Sequence, residues 1–212
     1  MSSFSQAMGY YPYVFHPITV LGASVLLLVH YEWTRAGADR SSLWHRVGGF
    51  LGAGLLALAP TVAYFVNTGA SVAASTAGNS FLMDALVAGG IFIASGVTWL
   101  LWRRFDWGHL VPGMMVAVAA TAVPYVVLSP FWNISGHVII SLTPTLYLAL
   151  VDRKFWPLLA IPVVMVPNRI VLNAHTWLQA ITAFFLAAVI VLGFYWLQTG
   201  GSLRPEPDST TL

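Results

Sequence analysis

The 212-residue chain contains no cysteine. Disulfides, thiolate metal sites, cysteine nucleophiles and iron–sulfur clusters are excluded together, and nothing can be read about the redox compartment. Charge is nearly as scarce. Nine basic and seven acidic residues make up 8% of the chain, against 58% hydrophobic residues and a mean hydropathy of +0.78. Soluble domains carry about a quarter charged residues, so a soluble globular fold is excluded. The pI near 9.1 rests on a net charge of only +2. Its basic residues are dispersed in short loops, which argues against a nucleic-acid partner.

What the sequence has instead is long uncharged runs. They fall at 13–31, 47–66, 81–102, 109–129, 136–151, 155–168 and 176–198, each near or somewhat below the ~20 residues that a bilayer-spanning helix needs. Short alternating strands of the barrel type are absent from the pattern. The predicted fold is therefore all-α: a polytopic bundle of about seven transmembrane helices. The count falls to six if the segment interrupted by Pro157, Pro162 and Pro167 does not span. Residues 1–200 read as a single transmembrane domain and 201–212, with Pro205 and Pro207, as a short disordered cytoplasmic tail. The first apolar run has no basic segment before it and no small-residue cleavage site after it, so it is expected to be a retained helix rather than a signal peptide.

Arg35, Arg40, Arg46, Arg103, Arg104, Arg153, Lys154 and Arg204 all fall on one side of this topology, and Arg169 alone falls on the other. The positive-inside rule then puts the N-terminus outside and the C-terminus inside. Low lysine usage and richness in Ala, Val and Gly suggest the plasma membrane of a prokaryote. Trp33, Trp44, Trp102, Trp107, Trp132 and Trp177 lie near predicted helix ends, as an interfacial belt does.

A lone arginine on an otherwise uncharged face needs a reason. Arg169 stands in Asn168-Arg169-Ile-Val-Leu-Asn-Ala-His175, and Ser135-Gly136-His137 opens the fifth helix on the same face. A helix N-terminus with free N–H groups, a guanidinium and two histidines suit a phosphate. Asp84 is the only carboxylate near that face and is retained as a supporting residue. His16, His30, His45 and His109 lie at ends on different sides with no metal-like spacing.

These residues resemble the type 2 phosphatidic acid phosphatase superfamily, membrane lipid phosphatases that share their core with vanadium haloperoxidases. Ile134-Ser135-Gly136-His137 is similar to the family's Pro-Ser-Gly-His. Asn168-Arg169, five residues, His175, three residues, Gln179 is similar to its Ser-Arg, five residues, His, three residues, Asp. The resemblance covers about 109–198. It implies His175 as nucleophile forming a phosphohistidine and His137 as general acid. It also implies Arg169, Ser135 and Gly136 as phosphate ligands, Gln179 and Asn168 as orienting or supporting residues, and neither metal nor cofactor. The family's first motif, Lys, six residues, Arg-Pro, keeps only its proline in Ala122–Pro130. A second match, Arg104 with Val111-Pro112, begins on the inner side. Gln179 stands where the family has the aspartate that orients the nucleophile.

The implied function is hydrolysis of a lipid phosphomonoester or isoprenoid diphosphate at the outer face of the bilayer. The alternative is a non-catalytic phosphatase-like protein acting as a lipid-binding or accessory subunit with a membrane-protein partner. A rhodopsin is excluded because the only lysine, Lys154, lies in an inside loop. An intramembrane protease lacks a catalytic pair. A transporter would show broken helices in repeated halves.

Overall fold

A computed structural model describes residues 3–69 and 81–201. Every regular element among them is helical. In chain order they are α1 (Ser3–Val14), α2 (Pro17–Arg35), α3 (Arg40–Ala57), α4 (Ala59–Thr68), α5 (Phe81–Phe105), α6 (Leu110–Leu128) and α7 (Gly136–Val151). A 3-10 segment (Arg153–Leu159), α8 (Ala160–Val171) and α9 (Trp177–Gln198) follow. The expected tail lies outside the described residues from 202 onward.

Five stretches are long and apolar enough to cross a membrane: Arg40–Thr68, Phe81–Phe105, Leu110–Leu128, Arg153–Val171 and Trp177–Gln198. Six result if Phe4–Val14 and Pro17–Arg35, bent by 53°, count as one span. This set fits an integral membrane protein. The one further apolar helix among the described residues is α7, which at 16 residues is about 24 Å long at ~1.5 Å per residue, against a ~30 Å hydrocarbon core. Two spans are also discontinuous. α3 and α4 meet at Leu58, with Pro60 in the first turn of α4, where its missing N–H leaves no gap in the ladder. The proline-rich sixth run starts as the 3-10 segment before becoming α8.

Sequence periodicity gives no sign of α1, which lies in the stretch expected to precede the first span. It is helical through Val14, and Pro17 ends it. A residue before proline is pushed out of the helical region and proline itself cannot donate, so α2 starts afresh at Pro17 and His16 is left in the break.

The chain divides into two compact units, Val25–Ile134 and Met1–Ser24 with Ser135–Leu212. Compared with a single domain whose core spans 109–198, α6 belongs to the first of these and α1 to the second.

In the Val25–Ile134 unit, α5 packs against α3, α4 and α6. Gly90 on α5 meets the carbonyl of Ala57, an approach that any Cβ would block. The polar centre of the unit is Glu32, 7% exposed. Its Oε2 accepts from Trp102 Nε1 at 3.0 Å and its Oε1 from the backbone N–H of Leu110, the first residue of α6, at 2.7 Å. The carboxylate thus caps α6 from another helix, where the helix dipole favours a negative charge. Gly108 has φ +120° and touches this carboxylate so closely that a side chain there would collide with it. One expectation is corrected by this arrangement. Arg46 is buried in α3 at 4% exposure rather than lying in a loop, with the field of Glu32 reaching it. Trp102, three residues from the end of α5, is fully buried with its indole N–H on Glu32.

In the other unit α7 is the most deeply buried element, with Val138, Ile139, Leu142, Tyr147 and Leu148 at most 2% exposed. α9 meets it with a stripe of small residues, Ala180, Ala183 and Ala187, each fully buried, which permits close approach in lipid. Phe185 and Val189 on the same helix are exposed. The end near Asp152 is pinned by Tyr147 Oη to Gln198 Oε1 at 2.8 Å, Tyr195 Oη to Leu150 O at 3.0 Å and Trp156 Nε1 to Ala149 O at 3.0 Å.

Replacing Glu32 by alanine leaves two buried donors unpaired and the buried Arg46 charge uncompensated, an expected loss of about 3 kcal/mol or more. Glu32→Gln, which keeps one acceptor, is expected to lose less. Thermal unfolding in detergent reads both, and a Glu32→Ala protein that melts with the wild type would remove Glu32 from the centre of its unit.

Candidate functional site

Ser135, Gly136, His137, Asn168, Arg169, His175 and Gln179 all fall in the unit formed by Met1–Ser24 and Ser135–Leu212. Ser135 is the N-cap residue of α7, with extended backbone at φ −76°, ψ 101°. Its carbonyl accepts from Ile139 N at 3.2 Å. Serine at this position usually turns its hydroxyl onto an N–H of the first turn. Here it does not, so the donors at Gly136 and its neighbours lack the cap oxygen that serine would otherwise supply.

Arg169 and His175 are held at fixed spacing by the way α8 ends. Asn173 takes the left-handed conformation at φ 53°. Its N–H donates to Ile170 O at 2.9 Å, and Ala174 N donates to Arg169 O at 3.0 Å. That pair of bonds is the Schellman termination, in which a left-handed residue folds the chain back over the last turn. His175 N reaches the same Arg169 carbonyl at 3.3 Å. The five-residue spacing read in the sequence is therefore the length of one helix-terminating turn.

Arg169 is 8% exposed, and no carboxylate pairs with it among the described residues. Its Nε is buried without a partner. The Ser135 hydroxyl and the Asn168 Oδ1 are in the same state. Six side-chain polar atoms of this kind occur among the described residues, and three of them belong to this short set. Buried polar groups are nearly always satisfied, by protein, water or ligand, so two donors and one acceptor in this unit have bonding capacity that a polar ligand can use; the other three lie in the Val25–Ile134 unit. Asn168 is anchored through its Nδ2, which donates to Met8 O at 2.6 Å. Tyr11 Oη donates to Ile161 O at 2.9 Å, so α1 docks on α8 at both residues.

His137, half-buried in the first turn of α7, is the common member of the group. The charged or chargeable groups whose fields reach it are Arg169, His16 and His175. The His16 ring lies edge-on to that of His137, with centroids 5.9 Å apart and planes at 74°. No sequence signal pointed to His16, which a break between two helices brings to the site from 121 positions upstream of His137. Among the described residues, no three histidine, aspartate or glutamate side chains converge as a metal-holding group.

No family profile, curated protein or solved structure matches the chain.

Two supporting residues are engaged in other bonds. Gln179 is the third residue of α9 and forms a capping box with Thr176: its Oε1 accepts from Thr176 N at 2.9 Å, and its N–H donates to Thr176 Oγ1 at 3.3 Å. The amide oxygen thus initiates a helix. Asp84 belongs to the Val25–Ile134 unit. There Tyr125 Oη donates to its Oδ1 at 2.5 Å and the Ser129 hydroxyl to its Oδ2.

Alanine at Asn173 strains the left-handed position and is expected to cost about 1 kcal/mol, whereas Asn173→Gly costs nothing. Differential scanning fluorimetry should also show a smaller stabilisation of the alanine variant by orthovanadate than of wild type. Equal behaviour of both variants would separate the turn from the site.

Proposed function

We propose that the protein is a membrane phosphatase hydrolysing a lipid phosphomonoester or an isoprenoid diphosphate. It is proposed to act at the outer face of a prokaryotic plasma membrane, with about seven spans, the N-terminus outside and the C-terminus inside, as a divergent relative of the type 2 phosphatidic acid phosphatases. The observation that carries this reading is the pair of buried, unpartnered donors, Ser135 Oγ and Arg169 Nε, beside His137 and the uncapped start of α7. A phosphoryl group offers acceptor oxygens to each donor and the counter-charge that the cluster lacks.

In the reaction, an unprotonated nitrogen of His175 attacks phosphorus. The P–O bond to the leaving group breaks, and His137 delivers a proton to the departing oxygen. Water then attacks the phosphohistidine with His137 accepting its proton, the N–P bond breaks, and inorganic phosphate leaves. Arg169, Ser135 and the N–H of Gly136 hold the equatorial oxygens where charge accumulates. The bilayer admits the lipid chain laterally, so only the head group has to enter the polar cluster.

A second reading rests on one observation, the capping box that engages Gln179. Without a carboxylate behind the nucleophile, the same cluster serves as a lipid-phosphate binding site in an accessory subunit of a membrane complex.

Phosphate release by detergent-purified protein from a panel of lipid phosphates and isoprenoid diphosphates distinguishes the two. His175→Ala is expected to abolish release while leaving the melting temperature within a few degrees, and Arg169→Gln to lower kcat by about 10² to 10³. Orthovanadate should raise the melting temperature of wild type and not of Arg169→Gln. Release that survives in His175→Ala eliminates the nucleophile assignment, and vanadate binding with no release from any substrate selects the accessory reading.

A further inference from the structure

Resting on that reading, we propose that His16 is a specificity-determining residue that binds the leaving phosphate of a diphosphate substrate, favouring diphosphates over monophosphate esters. The juxtaposition that points to it is the edge-on packing of His16 against His137 at 5.9 Å. His137 protonates the departing oxygen, so a residue packed against His137 lies on the leaving-group side. In a phosphomonoester that side holds a neutral alcohol. In a diphosphate it holds a second phosphate, whose negative charge and oxygens need donors.

His16 is built to donate. Its Nδ1 accepts the backbone N–H of Ile18 at 3.3 Å, so the ring proton of the neutral imidazole resides on Nε2, which is then a donor without any change of protonation. The backbone around it is fixed. Val20 N donates to His16 O at 2.9 Å in the first turn of α2, and Phe15 N to Tyr11 O at 2.9 Å at the end of α1. Non-helical backbone in a membrane protein persists where it lines a polar cavity or is buried in protein, and the 53° break at His16 sits beside the cluster. The side chain is exposed while His137 is half-buried, which is the order expected if the reacting phosphorus lies deeper and the leaving phosphate nearer the mouth. Titratable groups facing His16 in this unit are His137 on α7 and, through it, Arg169 and His175. None of these, among the described residues, is acidic, so an anion is the complementary ligand.

The test compares farnesyl diphosphate with farnesyl phosphate in wild type, His16→Ala and His16→Gln, the last retaining a donor near the position of Nε2. His16→Ala is expected to lower kcat/KM for the diphosphate about tenfold, in line with losing one hydrogen bond to a charged group, while the monophosphate changes by less than about twofold; His16→Gln recovers most of the loss. Equal losses on both substrates, or no loss on either, would falsify the assignment. A binding arm needs no turnover: methylenediphosphonate should raise the wild-type melting temperature more than inorganic phosphate does, and His16→Ala should abolish that difference. If the difference survives in His16→Ala, only the role of His16 fails. If neither anion stabilises wild type, the anion-site reading itself fails and takes this inference with it.

Discussion

A guanidinium held at 8% exposure with no carboxylate beside it is the constraint around which the Met1–Ser24 and Ser135–Leu212 unit is arranged. An uncompensated buried cation costs several kcal/mol, and the chain does not relieve that cost by pairing Arg169 internally. It fixes the residue instead. The Schellman turn at Asn173 ties its carbonyl to Ala174 and His175, and the neighbouring Asn168 is clamped to Met8 of α1. α1 and the left-handed asparagine thus hold the segment that carries this charge. On the proposed reading an anion supplies the counter-ion, and binding it would recover desolvation already incurred in folding, so preorganisation would act as affinity.

The Val25–Ile134 unit offers the contrasting case. Glu32 is as buried as Arg169, yet both of its carboxylate oxygens accept hydrogen bonds, from Trp102 and from the start of α6. Glycine at 108 is required so that the loop can lie against it. A buried charge whose partners are internal holds helices together. Arg46, with Glu32's field reaching it and Ser42 Oγ accepting from its Nε at 3.3 Å, belongs to that case. Asp84, engaged by Tyr125 and Ser129, ties α5 to α6 in the same way.

Most helices were legible because their signal is simple. Where charge is scarce, charged residues and glycine–proline clusters mark the ends, and the expected runs at 81–102, 109–129, 136–151 and 176–198 match α5, α6, α7 and α9 to within three residues. The spacing of Ser135-Gly136-His137 and of Arg169 to His175 was legible too, since it records one helix start and one helix end. Less visible was what depends on contacts far apart in sequence. Nothing local distinguishes Trp102 from an interfacial tryptophan, because its burial follows from Glu32, 70 positions away. Arg46 sits at the edge of an apolar run and looks like a loop cation until α3 is seen to start at Arg40. α1 is short, contains Pro12 and has no clear apolar face, so docking on α8 is what reveals it. His16 escaped notice for the same reason: one histidine before a proline carries no pattern.

The proposed site contains one fixed cation, Arg169, and the dielectric around it bears on whether one suffices. Two unit charges at 4 Å attract by about 1 kcal/mol in water and about 4 kcal/mol at the effective dielectric near a protein surface. A single buried guanidinium can therefore match several hydrated ones, provided that water is excluded and other donors are aligned. On the proposed reading those donors are the hydroxyl of Ser135, the first-turn N–H groups of α7 and the His16 Nε2. None is a fixed cation, so they would stabilise developing charge without the mutual repulsion that three clustered cations impose on an empty site. Water entering the cluster would weaken every one of these interactions, so the reading relies on the buried members, Ser135 and Arg169, for the reacting phosphoryl group, and on exposed His16 only at the rim.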